Sequence, residues 1–258
     1  MNFNKTSLLC AAFLTGSLLL NAQTTFVFDI HGVLLREDLA SLVKKKIERL
    51  TAPERGTADT ALFQELCLLM ENSRPLGQPT EKYDPTLGVP YEVYLLFAGI
   101  KSPDEVRTSL ASMLEQAVLT EKKRIAFTAL IEAIFDNDTR ISSLTAIPTG
   151  VSLFKSIQED HNQTVLIYTN APKEWIDQYK KLFPDLFSQI PDEHFICSGA
   201  AGILKPSEES FNIMCSIGKC DISDIVLIDD KAEHCAVAQR LGATGLQFLT
   251  PKALPSAA

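Results

Sequence analysis

The sequence predicts an α/β fold, a doubly wound parallel sheet interrupted by an all-helical insert. Three observations carry this. Short apolar runs rich in β-branched and aromatic residues recur as TTFVFD from Thr24, TVLIYTN from Thr164 and DIVLIDD from Asp224, each closing on polar letters. They lack the alternation of a half-exposed strand, as suits strands buried on both faces. Helical patterns separate them in the second half of the chain, and strands alternating with helices mark a doubly wound domain.

Residues 1–23, MNFNKTSLLCAAFLTGSLLLNAQ, hold one Lys, then an apolar run from Leu8 to Leu20 and a polar stretch with Ala22. This is the shape of a signal peptide, so export to a periplasmic or secreted location is expected. If the segment is not cleaved, the expected location is the cytoplasm. The run is shorter than the roughly 18 to 20 apolar residues that span a bilayer. The α/β core is predicted over 24–35 and 148–258, with the insert over 36–147.

No strong strand pattern lies between Leu35 and Ile147. EDLASLVKKKIERL and TALFQELCLLMENS read as helices, followed by a looser stretch, RPLGQPTEKYDPTLGVP. SPDEVRTSLASMLEQAVL begins with Ser102 as N-cap, Pro103 at the first helical position and Glu105 at the third, a capping box. EKKRIAFTALIEAIF follows as a fourth helix. In the core, TGVSLFKSIQED precedes the second strong strand and KEWIDQYKKLF follows it, with Trp175 and Tyr179 on one face. HFICSG and TGLQFL are weaker strands. KPSEESFNIMCSIG starts at Pro206 and Ser207 and stops at Gly218, and AEHCAVAQRLG stops at Gly242.

A chain of 258 residues supports one or two domains with a sizeable core. Its 46% hydrophobic and 22% charged content is that of a globular protein. The net charge of −8 argues against nucleic acid as a partner, because phosphate backbones need a basic stripe. A small phosphorylated substrate stays open, since one Lys and a metal ion hold a single phosphate whatever the overall charge. Oligomeric state is not legible. The six cysteines form no pair of CxxC units, so zinc is not indicated.

In open parallel sheets, ligands bind beyond the carboxyl ends of the strands. The first strand brings Asp29 and His31 there, the second Thr169 and Asn170, and the DIVLIDD strand Asp229 and Asp230, while Lys205 stands just before a helix. A carboxylate can attack phosphorus to form an aspartyl-phosphate. Two anions repel, so a cation is needed between them. Asp29 and Asp230 offer hard oxygen ligands suited to Mg²⁺. Thr169 and Asn170 offer donors to phosphoryl oxygens, and Lys205 adds a positive charge.

These motifs resemble those of the haloacid-dehalogenase-like superfamily, whose members are mostly phosphatases. FVFDIHGVL is similar to its first motif, with Asp29 as nucleophile. VLIYTNAP resembles the second and gives Thr169, GILKPSEESF resembles the third and gives Lys205, and VLIDDKAEHCAVAQRLGATGLQF resembles the fourth and gives Asp229 and Asp230. The resemblance covers Thr24–Leu35 and Ile147–Leu249. It implies that the helical insert is a type 1 cap, which closes over the site and selects the substrate. It also implies that Mg²⁺ is bound by Asp29, the backbone carbonyl of His31 and Asp230, with Asp229 behind them.

The sequence departs from the family at His31, where phosphatases usually carry a second Asp that protonates the leaving oxygen and then activates water. Imidazole, with an ordinary pKa near 6.5, suits both jobs. His31 is thus an acid/base, a positioning residue, or the mark of a weak catalyst. The leading expectation is a Mg²⁺-dependent phosphomonoesterase. The rivals are a 2-haloacid dehalogenase, whose family members also lack the second Asp, and a binding protein on a retired catalytic fold.

Overall fold

The computed structural model describes residues 24–37 and 90–249. The predicted signal peptide, the first two insert helices and nearly all of the loop after them lie outside the described residues.

The chain runs through β1 (Thr25–Phe28), β2 (Leu35–Glu37), α1 (Tyr91–Phe97), α2 (Pro103–Gln116), α3 (Glu121–Phe135), α4 (Asn137–Ser143), β3 (Leu144–Ala146) and α5 (Pro148–Gln158). It continues through β4 (Thr164–Thr169), α6 (Lys173–Leu182), α7 (Pro184–Phe187), β5 (Phe195–Cys197), α8 (Ser198–Ala201), α9 (Glu208–Gly218), β6 (Ile225–Asp229), α10 (Ala232–Leu241) and β7 (Thr244–Gln247). Five strands form one sheet in the order β5-β4-β1-β6-β7, and every pairing is parallel. The fold is the predicted α/β one. Among the described residues no helix is long and apolar enough to cross a membrane.

β1 is the central strand and shows why its sequence does not alternate. Phe26 and Phe28 point into one apolar cluster and Val27 into another, on opposite faces of the sheet. Phe28 meets Phe154 of α5 edge-on, with ring centroids 5.1 Å apart. On the other face, Val27, Leu166 and Leu227 pack with Phe211 and Met214 of α9 and Ala238 of α10. Each fully buried side chain of this size contributes about 1.5 to 3 kcal/mol, so β1 is a rigid platform for the residues at its end.

The insert packs on the core through the same first cluster, in which Leu96, Val106, Leu110, Phe127 and Leu130 join Trp175, Ile176 and Tyr179 of α6. The predicted capping box is present at α2: Ser102 accepts from the Glu105 N–H, and the Glu105 carboxylate accepts from the Ser102 N–H at 2.8 Å. α3 matches the predicted EKKRIAFTALIEAIF and is capped by Thr120.

Three local features differ from the sequence reading. β2 and β3 pair antiparallel, Leu35 opposite Ala146, and tie together the two ends of the segment read as all-helical. Each has three residues, only one of them buried, too little to leave a pattern. Helix α1 lies in YEVYLLF, where no helix was predicted; it has no side-chain N-cap, so its start carries no signal. Finally, α9 runs through Gly218 and ends with Lys219 in the left-handed conformation, φ 51°. Gly218 serves close packing instead, since a Cβ there would lie 2.9 Å from Thr25.

Candidate active site

β1 and β6 deliver their terminal acids side by side because they pair in register, Phe28 opposite Ile228. The Asp29 N–H extends that ladder by donating to the Ile228 carbonyl at 2.9 Å. Beyond it the chain folds into a tight turn, with the amides of Leu34 and Leu35 both donating to the Ile30 carbonyl. Gly32 in this turn has φ 79°, and a Cβ there would sit 2.3 Å from Asp230 Oδ2. Only glycine meets both demands.

Carboxylate oxygens of Asp29, Asp229 and Asp230 lie within 4.8 Å of one another. Lys205 Nζ stands between two of them, 2.7 Å from Asp229 Oδ2 and 3.2 Å from Asp29 Oδ1. Burial alone would lower the Lys205 pKa, but the two carboxylates carry it above its ordinary value. Asp229 is fully engaged. Besides Lys205 it accepts from the Lys231 N–H at 3.0 Å and lies 2.9 Å from His234 Nδ1. Burial opposes its charge, yet Lys205 and His234 hold its carboxyl well below the usual range.

Asp230 is in the opposite position. Burial, then the Asp29 and Asp229 charges, push its pKa up to about 6. Among the described residues no cation pairs with its carboxylate. The Asp29 Oδ1 atom accepts from the Ile30 N–H at 2.8 Å as well as facing Lys205, and the His31 carbonyl accepts no backbone N–H among the described residues. Three crowded carboxylates and the His31 carbonyl form a hard, oxygen-rich donor set that fits Mg²⁺. Among the described residues these three acids are the one cluster that fits a metal ion.

Thr169 ends β4 beside this cluster of strand ends. Its hydroxyl is buried and has no hydrogen-bond partner among the described residues, and the helix that follows takes Pro172 as its N-cap. A buried hydroxyl without a partner costs stability unless something binds it. Asn170 ties to the Lys205 backbone: its amide nitrogen donates to the Lys205 carbonyl at 2.9 Å and its oxygen accepts from the Lys205 N–H at 2.9 Å. It therefore fixes the loop that carries Lys205.

His31 Nε2 lies 3.0 Å from the Tyr179 hydroxyl. Burial pulls the imidazole below its ordinary pKa, against Asp29, while Arg140, Lys205 and Lys231 pull the same way as burial. Sequence reasoning missed Arg140, which is completely buried and donates to Tyr179 at 2.9 Å. NDTRISS carries no signal for it. His234, read as structural, is buried against Asp229.

The architecture has solved counterparts. A HAD family enzyme from Bacteroides thetaiotaomicron, in complex with magnesium and inorganic phosphate, is similar at 18% identity and a TM-score of 0.55, over 90% of this chain and 97% of that one. The chain has the haloacid-dehalogenase-like fold. A HAD-like hydrolase from Porphyromonas gingivalis is similar at 17% identity and a TM-score of 0.54, over 90% and 94% of the two chains. A dehalogenase is similar at 16% and 0.52, over 86% and 83%. The sequence matches no protein-family model and no curated protein. In this chain of haloacid-dehalogenase-like fold, the residues expected from the four motifs, Asp29, Thr169, Lys205, Asp229 and Asp230, all stand at the carboxyl ends of the strands or in the loop fixed beside them.

Proposed function

We propose that the protein is a Mg²⁺-dependent phosphomonoesterase acting through an aspartyl-phosphate on Asp29. One observation carries the reading: Asp29, Asp229 and Asp230 bring oxygens within 4.8 Å of one another, and among the described residues no cation pairs with Asp230. Asp29, the His31 carbonyl and Asp230 would hold the metal ion. When bound, Mg²⁺ supplies the charge that lets an anionic substrate approach an anionic nucleophile.

Asp29, with its Oδ1 held by the Ile30 N–H and Lys205, attacks phosphorus as the bond to the leaving oxygen breaks, and water then hydrolyses the aspartyl-phosphate to release inorganic phosphate and restore the carboxylate. Lys205 and the Thr169 hydroxyl hold phosphoryl oxygens, and the lysine offsets charge that builds on them during transfer. Asp229 keeps Lys205 charged and aimed. Asn170 holds the Lys205 loop through its oxygen and one N–H, and its second N–H is a donor for a phosphoryl oxygen. His31 stands where proton transfer to the leaving oxygen takes place. The described part of the helical insert reaches the site through Arg140 on Tyr179, and the insert acts as the cap that selects a small phosphorylated substrate. The segment 1–23 directs export.

A C–halogen hydrolase is the second reading, favoured by the absence of a carboxyl at residue 31. It leaves the Asp229–Asp230 crowding unexplained, because carbon–halogen displacement needs no metal cation. Turnover of an aryl phosphate that requires Mg²⁺ and is lost in Asp29→Asn across pH 5 to 8 supports the phosphatase. Turnover of a 2-haloacid in EDTA, with no phosphate hydrolysis, rejects it.

A further inference from the structure

Tyr179 and Arg140 are not accounted for by the four motifs, yet both are completely buried beside the site. Arg140 comes from α4, at the end of the insert, and Tyr179 from α6 of the core. The Arg140 guanidinium lies over the Trp175 ring at 4.5 Å and the Tyr179 ring at 5.3 Å. It donates to the Tyr179 hydroxyl at 2.9 Å, to Asn137 Oδ1 at 3.4 Å and to Gln178 Oε1. The Tyr179 and His31 rings meet edge-on, with centroids 5.4 Å apart.

Donor counting fixes the direction of the central bond. A guanidinium only donates, so the Tyr179 oxygen accepts from Arg140. Among the described residues, the phenol proton then has one acceptor within reach, His31 Nε2 at 3.0 Å. The hydrogen bond made by one ring nitrogen decides which of the two carries the proton.

We infer that Arg140 and Tyr179 are positioning residues for His31: together they hold the neutral imidazole with its proton on Nδ1 and its Nε2 lone pair occupied. The ring thereby presents an N–H rather than a lone pair at its other nitrogen. In the resting enzyme His31 is a hydrogen-bond donor, and it works as a base only when Tyr179 releases Nε2. This deepens the phosphatase reading and, for its effect on turnover, rests on it.

The test is the ¹⁵N spectrum of the histidine-labelled full chain at pH 8, where an imidazole is neutral. The expected wild-type spectrum has the His31 proton on Nδ1, and Tyr179→Phe, which keeps the ring, moves it to Nε2. In a chain that hydrolyses aryl phosphate, Tyr179→Phe is expected to lower kcat about tenfold with KM unchanged, a part of the roughly 10²- to 10⁴-fold that a positioned proton-transfer group contributes. A wild-type ring protonated on Nε2 overturns the inference, as does a Tyr179→Phe spectrum that does not change. The wild-type spectrum decides even if the variant fails to fold. It needs no turnover, so a chain without phosphatase activity still gives the answer.

Discussion

Lys205 Nζ bridges two carboxylates, lying 2.7 Å from Asp229 and 3.2 Å from Asp29, with side chains 1%, 0% and 9% exposed respectively. The lysine is therefore as much a structural counter-ion as a phosphate ligand. Lys205→Met removes the counter-ion that two buried acids share. Removing one partner of a buried ionic group costs about 3 to 5 kcal/mol. Urea denaturation is expected to show a loss of that size alongside loss of activity. A variant as stable as the wild type contradicts the burial argument.

The pKa of Asp230, pushed up to about 6 by burial and its acidic neighbours, gives a stability prediction with a definite sign. A carboxyl whose folded pKa lies above its unfolded value contributes stability that is complete below the unfolded pKa and is lost as pH rises through 6. Without metal, the melting temperature of Asp230→Asn should therefore match the wild type near pH 4 and exceed it at pH 8. Added Mg²⁺ should stabilise the wild type at pH 8 and do little for the variant. Thermal melts at the two pH values, with and without Mg²⁺, check both parts.

Thr169 separates binding from folding. Replacing a buried, unpartnered hydroxyl with an apolar group of the same shape is close to neutral or stabilising. Thr169→Val is expected to melt no lower than the wild type while KM for an aryl phosphate rises about tenfold, as for the loss of one hydrogen bond to a charged group. A stability loss with unchanged KM would place the hydroxyl in the fold rather than the site.

Glu37 provides a control away from the metal ligands. Burial raises its pKa to about 7 even though Arg140 pulls it down, and its Oε1 has no partner among the described residues. Its contribution to stability is thus full below about 4.5 and lost as pH rises through 7. Glu37→Gln should leave the melting temperature unchanged at pH 4.5 and raise it at pH 8.5. An equal difference at both pH values would mean that packing, not charge, governs the site.

The parts of the site legible in the sequence are those set by local chain geometry. Asp29, Thr169, Asp229 and Asp230 each end an apolar run, and a parallel sheet aligns such ends whatever the rest of the chain does. Tyr179 was placed on the correct helix face by its spacing from Trp175, but its contact with His31 joins residues 148 apart. Arg140 reaches Tyr179 from a helix too short and polar to suggest a core position. The paired strands β2 and β3 leave no mark in the sequence because three residues with one buried position carry no period. What the sequence conveys poorly is the meeting of side chains from separate elements, where packing alone decides the partner.

The central claim is that Asp29 carries the phosphoryl group. It is tested most directly by acid-quenching the enzyme during turnover of an aryl phosphate with Mg²⁺ and weighing its peptides. The expected result is a phosphoryl adduct on the peptide containing Asp29, absent from Asp29→Asn. Sustained turnover with no adduct, or with the adduct on another residue, would contradict the claim.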